Sequence, residues 1–203
     1  MTENKEIRQL QIEYRTTDDS RKIEGVAIVF NQLSEDLGGF REMIKPEAVE
    51  GVIENSDIFF LYNHNQDRGF LARSRYGKGS LTTQVMEDGV HFSFDAPHTA
   101  LGDEMLEHLK RGDINQCSFA FLIDKDEWVR QADNTYIRTI TKFDRLFDMS
   151  IVDNPAYSQT SVCKRFAEVQ EEDKKKLEEI RKHDISNYYS QLREENKKYL
   201  TVE

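Results

Sequence analysis

The chain has 203 residues, 38 acidic against 28 basic, and a formal net charge of -10. That length suits one domain or one domain with an appendage, and twelve Phe with eight Tyr exclude a disordered chain and imply a packed core. Residues 164–203 hold ten basic and ten acidic side chains, so the whole deficit belongs to residues 1–163, and so acidic a domain excludes a nucleic-acid groove as a first expectation.

In chain order, Met1 to Arg8 is polar and lacks a signal-peptide core. Residues 5–15 alternate imperfectly between apolar and polar and predict a strand; Thr16 to Ser20 is a turn cluster. Residues 22–31 predict a second, strongly apolar strand, with Gly25 as the site of a bulge or close backbone approach. A loop from Leu33 to Phe40 ends in Gly38-Gly39. Pro46 suits the first turn of a short helix, 46–55, where its missing N–H is not needed. Residues 57–63 read as a buried strand that runs out at His64.

Segments 80–86 and 90–95 flank Glu87-Asp88-Gly89, a hairpin signal in which glycine would tolerate a positive φ. Leu101, Met105, Leu106 and Leu109 are spaced for a helix over 99–110, with Gly112 as its stop. Strands at 114–130 and 135–152 form a long hairpin about Ala132-Asp133-Asn134, closed by Asn154-Pro155. The pattern predicts a mainly β fold with short flanking helices, as a closed or nearly closed barrel. From Lys164 onward Leu177, Ile180, Tyr188, Leu192 and Tyr199 recur at helical spacing among dense Lys and Glu. Residues 164–203 are therefore expected as a charged helical tail, either a partner helix or a solvated one, appended to a domain at 1–163. Nowhere does an apolar run reach the roughly 18–20 residues of a membrane helix.

Two cysteines, Cys117 and Cys163, lack metal-type spacing and fit a reducing, intracellular setting. His64, His91, His98, His108 and His183 include no pair spaced as on a zinc-hydrolase helix, so no metal site is expected. Gly38-Gly39 and Gly77-Lys78-Gly79 lack a phosphate-loop continuation and read as loops.

His64 sits where a strand opens into a polar loop, a place from which a rigid scaffold presents side chains. Strand alternation puts Cys117, Phe119, Phe121 and Ile123 on a core face, with Ser118 pointing the other way beside Gln116 and Ala120. The same alternation puts Phe147, Met149 and Ile151 on the core face and Asp148 opposite, with Leu146 and Ser150. Serine catalysis needs a hydroxyl nucleophile, an imidazole base and a group that orients the imidazole. His64, Ser118 and Asp148 supply those three types. Small polar residues on a solvated face would give the same pattern. Cys117 is the rival nucleophile, but its phase makes it a buried thiol.

Four segments, in order, carry a family resemblance: Gly25–Asn31; Leu61–Asn65 with Leu71-Ala72-Arg73; Arg111–Phe121; and Leu146–Ala156. Across about residues 23–163 the chain resembles the tailed-phage prohead proteases, capsid-maturation serine peptidases akin to the herpesvirus assemblins. The resemblance implies an assemblin-like β-barrel with a C-terminal charged helix, Ser118 as nucleophile and His64 as general base. The third member is left among Asp148, which stands where the family commonly has Glu, and its neighbours Asp144 and Asp153. Glu47-Ala48-Val49 replaces the family's usual Gly-Ala-Phe. The implied enzyme needs no metal or organic cofactor. It cleaves the major capsid protein or its scaffold segment, and itself, inside the assembling procapsid in the host cytoplasm; assemblins suggest a homo-oligomer. The alternative is a non-catalytic capsid-assembly barrel, which would have no need of both His64 and Ser118.

Overall fold

The structure, a computed structural model, describes the backbone of residues 5–11, 20–153 and 160–200, and the side chains of 5–8, 20–153 and 166–187. The expected run of the first strand to residue 15, the turn at 16–19, Asn154-Pro155, Ala156 and the Cys163 side chain lie outside these residues. So do the side chains of Tyr188, Leu192 and Tyr199. The chain divides into two compact units, Met1–Ser161 and Val162–Glu203.

The first unit is mainly β. Ten strands are formed among the described residues: β1 (Glu6–Gln11), β2 (Lys22–Val29), β3 (Phe40–Ile44), β4 (Asp57–Tyr62), β5 (Ala72–Arg75), β6 (Lys78–Gly79), β7 (Thr82–Val85), β8 (Gly89–Asp95), β9 (Gln116–Arg130) and β10 (Tyr136–Val152). Helices α1 (Val52–Asn55) and α2 (Ala100–Arg111) join them. The large sheet runs β1-β9-β10-β4-β5-β6, with β3 also on β10, and β2-β8-β7 form a separate ladder. The closed or nearly closed barrel expected from the strand pattern does not form among the described residues. The large sheet ends at β1 and β6, which do not pair, and the other three strands bond only to one another.

β10 organises the large sheet. Its first half pairs in parallel with β3 and its second half in parallel with β4, while β9 runs antiparallel along its other edge. Parallel neighbours need long crossovers, which is why residues far apart in sequence meet here. Between the sheets lies an aromatic core, in which Phe60 sits 4.6 Å from Phe92 and 4.5 Å from Phe94, and Phe121 sits 4.5 Å from Phe143. Met105, Leu106 and Leu109 of α2 join it. That helix starts where Thr99 Oγ1 accepts from the Gly102 N–H and stops at Gly112, as its sequence predicts.

Several local expectations are corrected. The 46–55 helix breaks into a 3₁₀ turn, Pro46–Val49, and α1, because Gly51 between them is left-handed (φ 71°). In β2 the register shifts at Ala27, between Val26 and Ile28, while Gly25 pairs regularly with Phe92. Gly89 is not needed for a positive φ. A Cβ there would stand 2.1 Å from the Ile28 carbonyl oxygen, so the glycine permits close approach of β8 to β2. Gly77-Lys78-Gly79 belongs to a tight hairpin between β5 and β6 rather than to a loop.

All but the first two residues of α3 (Thr160–Leu200) lie in the second unit; the helix is 41 residues rich in Lys and Glu, and Leu177, Ile180 and Ile185 are exposed on it. Among the described residues no helix is long and apolar enough to cross a membrane.

Candidate active site

Ser118, His64 and Asp148 come from three adjacent strands. Ser118 lies on β9 opposite Ser150 of β10, and Asp148 lies opposite Ala120. His64 arrives from β4, whose parallel ladder with β10 is extended by a bond from the Asn63 N–H to the Ile151 carbonyl (2.9 Å). A tight turn then lifts the imidazole over the sheet. Asn63 and His64 are both left-handed, with φ of 53° and 55°, and the Asn65 N–H closes on the Tyr62 carbonyl at 3.1 Å. Two consecutive non-glycine residues in that region cost about 1 kcal/mol or more each.

Asp153 braces the turn. It accepts from Tyr62 Oη (2.5 Å) and Asn63 Nδ2 (2.9 Å), and its own N–H donates to Asn63 Oδ1 (3.2 Å).

A bulge aims the carboxylate. Leu146 pairs with Phe121 and Asp148 with Ala120, so Phe147 is an extra residue and the phase of β10 changes across it. Leu146 consequently belongs to the core and Phe147 does not, which reverses their expected sides. Phe147 instead carries the Lys5 ammonium 5.1 Å from its ring centroid. The face bearing Ser118 and Asp148 is not solvated: Ser118 is 0 % and Asp148 1 % exposed.

His64 bridges the other two. Its Nδ1 faces Asp148 Oδ1, and its Nε2 lies 2.7 Å from Ser118 Oγ. A carboxylate partner fixes the proton on Nδ1, which leaves the Nε2 lone pair toward the hydroxyl. Ser118 Oγ also lies 2.8 Å from the Arg8 carbonyl oxygen of β1, so one hydroxyl proton has two acceptors.

Asp148 is held by more than His64. Ser150 Oγ donates to Oδ1 (3.0 Å) and accepts from the His64 backbone N–H (3.2 Å), while Lys5 Nζ donates to Oδ2 (2.9 Å). Burial, the largest influence, works against the charged carboxylate. The bond and charge of His64 and the Lys5 ammonium outweigh it and hold the carboxyl below its ordinary value of 3.8.

The family described as caudovirus prohead serine protease matches residues 8–176. The chain belongs to that family. Among solved structures, the capsid assembly protease gp21 of bacteriophage T4 is similar at TM-score 0.41 and 8% identity, covering 74% of this chain and 99% of that one. No curated protein matches.

In this prohead protease the remaining sequence candidates sit elsewhere. Cys117 is buried on the core side of β9, where burial pushes its thiol up to about 12. Such a thiol is not a nucleophile at neutral pH. Asp144 is exposed and Asp153 serves the turn, so the carboxylate on the imidazole is Asp148. His91 pairs with Asp88 (2.9 Å) and His108 with Asp113 (3.3 Å), both at the surface. Among the described residues no group of three or more His, Cys, Asp or Glu is placed to hold a metal ion.

Sequence reasoning gave no role to Ser150 and none to Lys5. Ser150 was legible only as sharing the Asp148 side of β10. Nothing at position 5 signals a contact 143 residues away.

Proposed function

We propose that this prohead protease is a serine endopeptidase in which Ser118 is the nucleophile, His64 the general base and Asp148 the orienting acid. The observation that carries the reading is the continuous hydrogen-bonded series Ser118 Oγ, His64 Nε2, His64 Nδ1, Asp148 Oδ1. The Ser118 hydroxyl turns its proton from the Arg8 carbonyl to Nε2, a rotation of the O–H alone. Oγ then attacks the scissile carbonyl as Nε2 takes the proton, and buried Asp148 stabilises the imidazolium that forms. Nε2 returns the proton to the departing amine, leaving an acyl-serine. Water, activated by the same nitrogen, releases the new carboxylate.

Family membership and the implied place of action inside the assembling procapsid make the capsid protein or its scaffold segment the proposed substrate. An assemblin-like fold and self-processing of terminal segments belong to the same proposal.

The test is labelling of the full chain by a fluorophosphonate, with the adduct located by peptide mapping. Label on Ser118, retained in Cys117→Ala, is expected. An unlabelled chain would favour a non-catalytic assembly protein, and label on Cys117 a cysteine enzyme.

The segment 164–203 is proposed as a removable docking tail, with exposed Leu177 and Ile180 as neighbouring contacts on α3. Deleting it is expected to lower incorporation into procapsids severalfold while leaving Ser118 labelling intact. Undiminished incorporation would reject the docking role.

A further inference from the structure

Resting on the triad reading above, we propose that Lys5 of the N-terminal segment is a positioning residue of the site, which fixes the Asp148 carboxylate and sets the pH range over which His64 works as a base.

The Asp148 carboxylate is held from two directions, by the imidazole of His64 on one oxygen and by the Lys5 ammonium on the other. The two oxygens of Asp148 divide the task. Oδ1 takes His64 Nδ1 and the Ser150 hydroxyl, whereas among the described residues Oδ2 takes only Lys5 Nζ, at 2.9 Å. The lysine stem comes from the residue just before β1, the edge strand beside β9, and its ammonium also lies over Phe147, the bulge residue that turns Asp148 toward the site. Rotation of the carboxylate away from the imidazole would break the Lys5 and Ser150 bonds together.

The strand that delivers Lys5 is itself anchored. Glu6 and Arg8 of β1 bond to Arg138 and Glu42 within a buried cluster. Lys5 is 39% exposed at its side chain and Asp148 1%, so the lysine side chain is partly open to solvent while the carboxylate is not.

A cation on the far oxygen offsets part of the negative field that Asp148 exerts on the imidazole. Without it the imidazolium is favoured and a higher pH is needed to free Nε2. Among the described residues, the other groups near this pair are few. Ser118 and the Cys117 thiol come from β9, Ser150 from β10, Asp153 from the residue after β10, Arg68 lies 4.8 Å from the Tyr62 ring at the turn, and Arg145 of β10 lies 5.6 Å from the Phe147 ring that Lys5 also covers. Cys117 stays neutral, and Asp153 is held by Tyr62 and Asn63. Lys5 is thus the cation in direct contact with the carboxylate.

The experiment is an NMR titration of the His64 ring in the full-length protein, paired with the pH dependence of fluorophosphonate labelling. In Lys5→Met the imidazole midpoint and the acid limb of labelling are both expected to move up by about 0.5–1 pH unit, the screened fraction of a contact ion-pair effect. Lys5→Arg is expected to restore the wild-type midpoint. A role confined to holding the strand would lower thermal stability and leave the midpoint in place. An unchanged midpoint in a folded Lys5→Met chain overturns the proposal. The triad reading fails separately: absence of label on Ser118 at every pH rejects it, while the midpoint shift still reports the Lys5 contact.

Discussion

Replacing Ser118 by alanine is expected to lower kcat/KM on a capsid-derived peptide by about 10⁶-fold, with His64→Ala costing as much and the double variant little more. In the proposed triad the three side chains would act as one device, so that once the nucleophile or its base is gone the other would have nothing left to do. Asp148→Asn should cost about 10⁴-fold. The amide offers a donor where Nδ1–H needs an acceptor, so the ring's proton moves to Nε2, the nitrogen that must receive the serine proton. Lys5 loses its counter-ion in the same stroke. Retention of a tenth or more of the wild-type rate in Ser118→Ala would reject the assignment.

The Asp148 variant also has a stability signature. Its carboxyl titrates lower in the folded chain than in the unfolded one. Its ionised form therefore stabilises the fold fully above about pH 4, and that contribution is lost as pH falls through the lowered folded value. The stability gap between wild type and Asp148→Asn is expected at neutral pH and should close in strong acid, read from urea midpoints across pH.

Arg138→Met is expected to destabilise the fold by about 3–5 kcal/mol, a large share of the ~5–15 kcal/mol that holds a domain together. Arg138 is 2 % exposed. Its guanidinium reaches Glu6 (2.7 and 3.0 Å), Glu42 (3.0 Å) and Asp126 (2.8 Å), and Arg8 meets the first two carboxylates from the other side (2.5 to 2.7 Å). Three carboxylates thus share two guanidiniums. Methionine fills most of the volume but leaves the buried acids with one cation, and the penalty is that of uncompensated charge rather than of lost contact. Adding Glu42→Gln removes one of the unmatched charges and is expected to recover part of the loss. The check is the urea midpoint at constant m-value. A fall below 1 kcal/mol would mean that the cluster is far better hydrated than its burial indicates.

Legibility in the sequence followed locality. The β9–β10 hairpin, the β7–β8 hairpin and α2 carry their turn residues and caps within a few positions of one another, and each forms close to where the pattern places it. β3 was missed because Phe40–Ile44 is five residues long and its partner lies almost a hundred residues away. The bulge at Phe147 escaped because alternation assumes an unbroken register, so the core sides of Leu146 and Phe147 came out reversed. The presence of Ser118 and Asp148 on one side of the hairpin was readable from period two. Their burial was not, since it depends on what lies above them. The contact of His64 with both was readable only through resemblance, since no local spacing brings residue 64 to residue 148. The choice of Asp148 over Asp144 and Asp153 required the turn geometry, in which Asp153 is already committed to Tyr62 and Asn63.

The parallel pairing of β4 with β10 bears on when the chain becomes able to cut. The β9–β10 hairpin is a local event and brings Ser118 near Asp148 early, whereas His64 joins them only when segments some ninety residues apart have zipped together, and non-local parallel pairing is slow. A chain in which β4 has not yet paired with β10 would have Ser118 without the proposed base beside it. On the proposed mechanism, competence to hydrolyse peptide bonds would in this way be a late readout of completed topology, and a chain whose β4 has not yet paired with β10 would be chemically silent.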